Sequence, residues 1–201
     1  MRSRLLVAGI LLGIACAGMA LAQPATDPPP AAAPAEPEAT TPGEAGLPEV
    51  FYGTSSLPEP VRKLREQLLE AARSGDIEKM RPLLEQQGTP PVVSLGEQQN
   101  DAIAFWKEQS GDGEGREILA ILIDILEAGY LHVDKGTPQE MYLWPYFAQY
   151  PLDKLTPEQL VELFRIITGS DFKEMKEYGA YIFFRLGIGP DGTWHFFVAG
   201  D

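Results

Sequence analysis

Two histidines and one aspartate are the residues of this sequence best suited to acid–base chemistry. His132 and His195 are its only histidines, and Asp134 follows His132 at a spacing of two. On an extended strand that spacing returns side chains to the same face, so His132 with Asp134 has the makings of a general base whose imidazole is oriented by a carboxylate. If the segments carrying His132 and His195 lie side by side, two imidazoles and an acid form the catalytic group of a small hydrolase or a metal-dependent enzyme. The structural alternative is that each histidine fills a half-buried strand position and hydrogen-bonds to the backbone. The sequence itself assigns no resident metal and no cofactor.

A second candidate is aromatic. Tyr142, Trp144 and Tyr146, within Tyr142-Leu143-Trp144-Pro145-Tyr146-Phe147, have the flat rings that stack on sugars and on proline, so they are candidate ligand-binding residues for a cell-wall glycan or a protein partner. Period-two alternation sends Tyr142 and Trp144 to one face and Leu143 to the other. One of those faces must be core, so part of the cluster is structural. The acidic loop Gly111-Asp112-Gly113-Glu114-Gly115 does not read as a calcium site: counting from Asp112 puts Arg116 and Ile123 where an EF-hand loop requires oxygen ligands. Glu158, Glu162, Glu174 and Glu177 read as solvated helix faces. No nucleophile elbow, phosphate-binding loop, zinc-protease helix or dinucleotide fingerprint occurs.

The elements that must position these residues follow from periodicity and breakers. Val61, Leu64, Leu68, Ala71 and Ala72 recur at helical spacing, Gly75 ends that helix and Asp76 caps the next, so residues 60–87 read as a helical hairpin with Pro82 limiting its second arm. A short strand is expected at 91–95 and a helix at 98–109. Arg116 to Ala128 is apolar on almost every side and reads as a buried central helix. Tyr130 to Asp134 alternates as a strand, and Gly136 turns it toward a second strand at 140–144. Thr156-Pro157-Glu158-Gln159 combines a cap, a first-turn proline and a capping-box glutamine, with Leu160, Leu163, Phe164 and Ile167 as the buried face of the helix that follows. A short helix at 171–178 leads to strands at 180–188 and 193–199, joined by Gly189-Pro190-Asp191-Gly192, a hairpin signal. The expected fold is therefore α+β: an N-terminal helical hairpin and a buried central helix packed on a small antiparallel sheet made of two hairpins.

The chain organisation is expected to be tripartite. Arg2 and Arg4 precede an apolar run from Leu5 to Ala17, and Ala20-Leu21-Ala22 offers a small-x-small cleavage site, so residues 1–22 read as a secretory signal peptide cut after Ala22. Cys16, the only cysteine, leaves with that leader. Its lipidation is a minor alternative, because Gly13 stands where a lipidation box prefers leucine. Residues 23–50 are crowded with proline and alanine and lack aromatics, the composition of a disordered spacer, and residues 51–201 suit a single globular domain. Loss of the leader leaves 14 basic residues against 29 acidic ones, a net charge of −15. Such a polyanion is a poor partner for nucleic acid. No later segment has the apolar length of a membrane span, so no membrane insertion is expected after cleavage.

The stretch from Gly136-Thr137-Pro138-Gln139-Glu140 through Trp144-Pro145-Tyr146, Phe172-Lys173-Glu174-Met175-Lys176 and Gly179-Ala180-Tyr181 to the closing Gly192-Thr193-Trp194-His195-Phe196-Phe197-Val198-Ala199-Gly200-Asp201 resembles exported bacterial proteins of unknown function. That resemblance implies a Gram-negative periplasm and brings no activity and no site residues with it. The leading expectation is a periplasmic, non-enzymatic binding or envelope-associated module. The alternatives are the His132/Asp134/His195 enzyme and an acidic inhibitor that captures a basic secreted enzyme by charge complementarity.

Overall fold

The computed structural model describes residues 46–200. The leader, Cys16 and nearly all of the Pro/Ala-rich segment lie outside the described residues. Helix α1 (Glu59–Arg73) starts on Pro58 with Pro60 in its first turn and buries Val61, Leu64, Leu68, Leu69, Ala71 and Ala72. Gly75, at φ +71°, reverses the chain, and Asp76 caps a 3-10 turn (Ile77–Met80) by accepting the Glu78 N–H. That turn runs straight into the five-residue α2 (Arg81–Glu85), where Pro82 sits in the first turn and needs no donor.

Helix α3 (Ala102–Gln109) begins four residues later than expected, because Asp101 accepts from the N–H groups of both Ile103 and Ala104 and so sets the start. Helix α4 (Arg116–Glu127) is the central helix and buries Ile118, Leu119, Leu122, Ile125 and Leu126. Its C-terminal carbonyl at Leu126 accepts two bonds from the Arg65 guanidinium, at 2.6 and 3.1 Å. A cation there complements the negative end of the helix dipole. Burial holds the Arg65 pKa below its usual value, but the group keeps two short contacts with the carbonyl.

The sheet is a four-stranded antiparallel meander in the order β1 (Leu131–Val133), β2 (Met141–Trp144), β3 (Arg185–Ile188), β4 (Trp194–Val198). The two expected hairpins are both present and join through β2 and β3. The α+β class with helices packed on this sheet is thus the observed architecture. The expected strand at 91–95 reduces to one parallel bridge between Val92 and Phe196 on the β4 edge. The strand expected from residue 180 starts only at Arg185, and the Tyr181 hydroxyl in the irregular stretch before it donates to the Phe184 carbonyl.

Two cores flank the sheet. One face carries Tyr142, Trp144, Leu186, Ile188, Trp194 and Phe197 against α1 to α4. The other core gathers Leu131, Tyr146, Phe147, Leu163, Ile167 and Met175 beneath helices α5 (Pro157–Leu163) and α6 (Gly169–Tyr178). Both helices open with a reciprocal capping box, Thr156 with Gln159 and Thr168 with Asp171. Helix α5 stops at Leu163, and so Phe164, expected in the core, is 47% exposed and meets Phe172 edge-on instead. The domain also begins slightly before residue 51. Val50 packs on the second core, and Phe51 exchanges both backbone hydrogen bonds with Tyr130.

Candidate functional site

The sheet order separates the two histidines. The register runs His132 to Tyr142, Tyr142 to Ile188 and Ile188 to Trp194, with His195 next on β4. His132 and His195 therefore stand three strand spacings apart, about 14 Å between backbones. The sequence joins them only if the two hairpins are adjacent through β1 and β4, whereas the hairpins are adjacent through β2 and β3.

Asp134 does not orient His132 either. Strand β1 ends at Val133, and Asp134 takes a left-handed conformation at φ +53°, its carbonyl accepting from the N–H and the hydroxyl of Thr137. That twist takes Asp134 out of the alternation assumed for it. Its place is taken by Glu140: His132 Nε2 donates to Glu140 Oε1 at 2.7 Å, and the imidazole stacks on Tyr142 with centroids 4.3 Å apart. Glu140 also accepts the Gly136 N–H at 2.9 Å, which closes the hairpin loop. These bonds, the Gly136 N–H first and His132 second, hold the Glu140 carboxyl below the usual range. Glu140 was legible in principle. It is the diagonal neighbour of His132 on one face of the hairpin, a pairing that follows once the register Val133 to Met141 is known.

His195 is exposed at the irregularity where β4 slips against β3. Its ring lies over its own turn: a Cβ placed on Gly189 would stand 2.8 Å from His195 Nε2 and 2.9 Å from Asp191 Oδ1. The Asp191 carboxyl is held low mainly by the Thr193 N–H and hydroxyl, with a smaller contribution from His195. His132 is thus committed to its own hairpin, and the exposed His195 lies over the other one, beside Asp191. Among the described residues, no three His, Cys, Asp or Glu side chains are grouped to hold a metal ion.

The aromatic platform is core. Tyr142 is 5% exposed, and Trp144 and Tyr146 are fully buried. Tyr142 and Trp144 share the sheet face that meets the helices, and Tyr130 packs against both. Tyr146 turns the other way, into the second core, against Phe147 and Tyr150. Asp112 is likewise consumed, its carboxylate accepting from Ser110, from the backbone of Glu114 and Arg116 and from the Arg116 side chain.

Glu162 is not the solvated charge that its helix pattern indicates. Its Oε2 accepts from the hydroxyls of Tyr52 (3.0 Å) and Tyr146 (3.1 Å), and its Oε1 accepts the Gly129 N–H (2.9 Å). Burial, followed by the charge of Glu162, pushes the Tyr146 hydroxyl far above its usual pKa, so it remains a donor. This carboxylate ties the lead-in strand to α5 and to the end of α4. With three donors committed, it is a structural clasp.

What remains open is the outer face of the sheet. The second core covers Leu131 and reaches Val133 only in part, leaving a groove of about 330 Å³. Its floor is Val133, Met141, Leu143 and Phe196, side chains of alternate rows on that face. Gly187 lies in the same row, and its missing side chain is what lets the Phe196 ring and the Met141 sulfur lie flat. A Cβ there would stand 2.6 Å from the ring and 3.2 Å from the sulfur. Ala148, Gln149, Ala180 and Tyr181 form the walls, and the only charged lining groups are Asp134 and Arg185. A larger hollow of about 530 Å³ along α1 is lined by that helix and its cap alone, among them Arg65, Glu66, Glu70 and Arg73. It is an open furrow along one helix in which Leu69 is the sole apolar side chain among charged ones, and it does not have the make-up of a ligand site. The groove on the sheet has both the apolar floor and the few polar groups such sites use.

Comparisons with protein-family models, with curated proteins and with solved structures return no match to this chain. The groove's chemistry is therefore read from its own residues.

Proposed function

We propose that this protein is an exported, non-enzymatic binding module of the bacterial periplasm, and that its ligand site is the groove on the outer face of the sheet. One observation carries the reading. The two histidines lie on opposite edge strands of the sheet, with His132 committed to Glu140, whereas the apolar side chains Val133, Met141 and Phe196 are half-covered and gathered in one groove. Leaving apolar side chains wet forfeits part of their burial free energy, about 25 cal/mol per Å² of apolar surface, and a ligand recovers it. The leader at residues 1–22 and the proline-rich segment after it support an exported, tethered domain. Among the described residues no helix is long and apolar enough to cross a membrane.

The test uses a neutral fluorescent apolar probe, N-phenyl-1-naphthylamine, titrated into the exported chain. One saturable site is expected. It should be lost in Gly187→Ala, where the new methyl drives the Phe196 ring into the groove, and retained in His132→Ala and His195→Ala. No saturable site, or a site lost with the histidines and kept in Gly187→Ala, would refute the reading. Export is checked separately by N-terminal sequencing of the protein recovered from the periplasm, which should begin at Gln23.

A further inference from the structure

Arg185 stands apart from the other arginines of the domain. Arg62, Arg73, Arg81, Arg116 and Arg165 each lie within ion-pairing distance of a carboxylate, and Arg65 is spent on the Leu126 carbonyl. Arg185 has no carboxylate partner among the described residues. It is half-buried, at one end of the groove, and one guanidinium nitrogen donates to the Gly200 carbonyl. A guanidinium carries five N–H donors in a rigid fork. The bond to Gly200 uses one side of that fork and fixes the rest in place beside the apolar floor.

The surrounding charge makes this arrangement specific. The sequence has 29 acidic residues against 16 basic ones, and yet none of the described carboxylates reaches this cation. The other charged lining group, Asp134, follows the last residue of β1, at the far end of the groove. An anion is thus attracted to one end of the groove and repelled from the other, which gives a bound molecule a direction. The volume of about 330 Å³ lies at the small end of the range for ligand pockets.

From these features we infer that the groove takes an apolar molecule ending in an anionic group, with the anion on Arg185 and the apolar body on Met141, Leu143 and Phe196. This rests on the groove being the binding site, and the experiment separates the two ideas. Three probes of one chain length are titrated into the exported protein by calorimetry: octanoate, octanol and octyltrimethylammonium. Octanoate should bind at one site at least tenfold more tightly than octanol, and the cationic probe more weakly still. Arg185→Gln should reduce octanoate to the level of octanol without changing octanol itself, and Arg185→Lys should restore part of the preference. Added salt should weaken octanoate alone.

Equal binding of octanoate and octanol to the unmodified protein, both lost in Gly187→Ala, would overturn the anion preference and leave the groove standing. Binding of none of the three would overturn the groove and the anion preference together. Because the three-probe comparison is made on the unmodified chain, a folding defect in an Arg185 variant leaves the test intact.

Discussion

The two faces of the sheet are built from the same strands and finished differently. The inner face sets Trp144, Leu186, Ile188, Trp194 and Phe197 against four helices, and none of them is more than 1% exposed. The outer face is half-covered by α5, α6 and the turn at Tyr146–Ala148, and it leaves Val133, Met141 and Phe196 partly open. Coverage rather than residue type therefore separates the faces: the aromatic ring of Phe197 is sealed beneath the helices, and that of its neighbour Phe196 on the opposite face is partly open. The candidate binding aromatics are consumed as core, Tyr142 and Trp144 on the inner face and Tyr146 in the second core.

The largest expected effect breaks the sealed face. Trp144→Ala should cost about 3–5 kcal/mol, as for other fully buried aromatics cut to alanine. Met141→Ala, on the open face, should cost on the order of 1 kcal/mol by area while weakening the neutral apolar probe. Urea denaturation of the two variants measures both costs, and similar values would erase the distinction between the faces.

A smaller effect probes the clasp that joins the edge of the sheet to α5. Glu162→Ala removes the acceptor for the Tyr52 and Tyr146 hydroxyls and the Gly129 N–H. Orphaning the part-buried Tyr146 hydroxyl and Gly129 N–H should cost about 1–3 kcal/mol without altering probe binding, whereas the exposed Tyr52 hydroxyl turns to water. The same denaturation experiment reads the loss, and an unchanged stability would show the three bonds to be exchangeable with water.

The smallest effect concerns the β1–β2 hairpin and is read from the acid limb of stability. The Glu140 carboxyl is depressed in the folded protein, so its contribution is present above the ordinary carboxylate pKa of about 4.3 and is lost as pH falls through the lower folded value. Glu140→Gln should therefore flatten the acid limb of stability against pH below about pH 4, relative to the unmodified chain. A limb of unchanged slope would mean that the His132–Glu140 contact does not report on folding.

Much of the fold was legible because its signals are local. The Thr156 capping box, the Gly189–Gly192 turn, the Gly75 reversal and the apolar period of α4 each need only a few neighbouring residues, and each lies where its pattern indicates. The Thr168 capping box is equally local, and it starts α6 at Gly169, two residues before the expected position. The site was less legible because it depends on register and coverage. Which hairpin strands are neighbours decides whether His132 meets His195, and a left-handed Asp134 decides whether it meets His132. Neither is encoded within a few residues. The groove depends on where α5 and α6 stop, and on a glycine that is conspicuous only once Phe196 is known to lie opposite it.

The most direct test of the groove as the binding site is a methyl chemical-shift map of the exported protein titrated with N-phenyl-1-naphthylamine. The largest shifts should fall on Val133, Met141, Leu143, Ala148 and Ala180, the methyl-bearing residues that line the groove, with the His195 ring resonances unmoved. Shifts centred on the Gly189–His195 turn, or spread over the inner-face helices with the groove methyls silent, would contradict it.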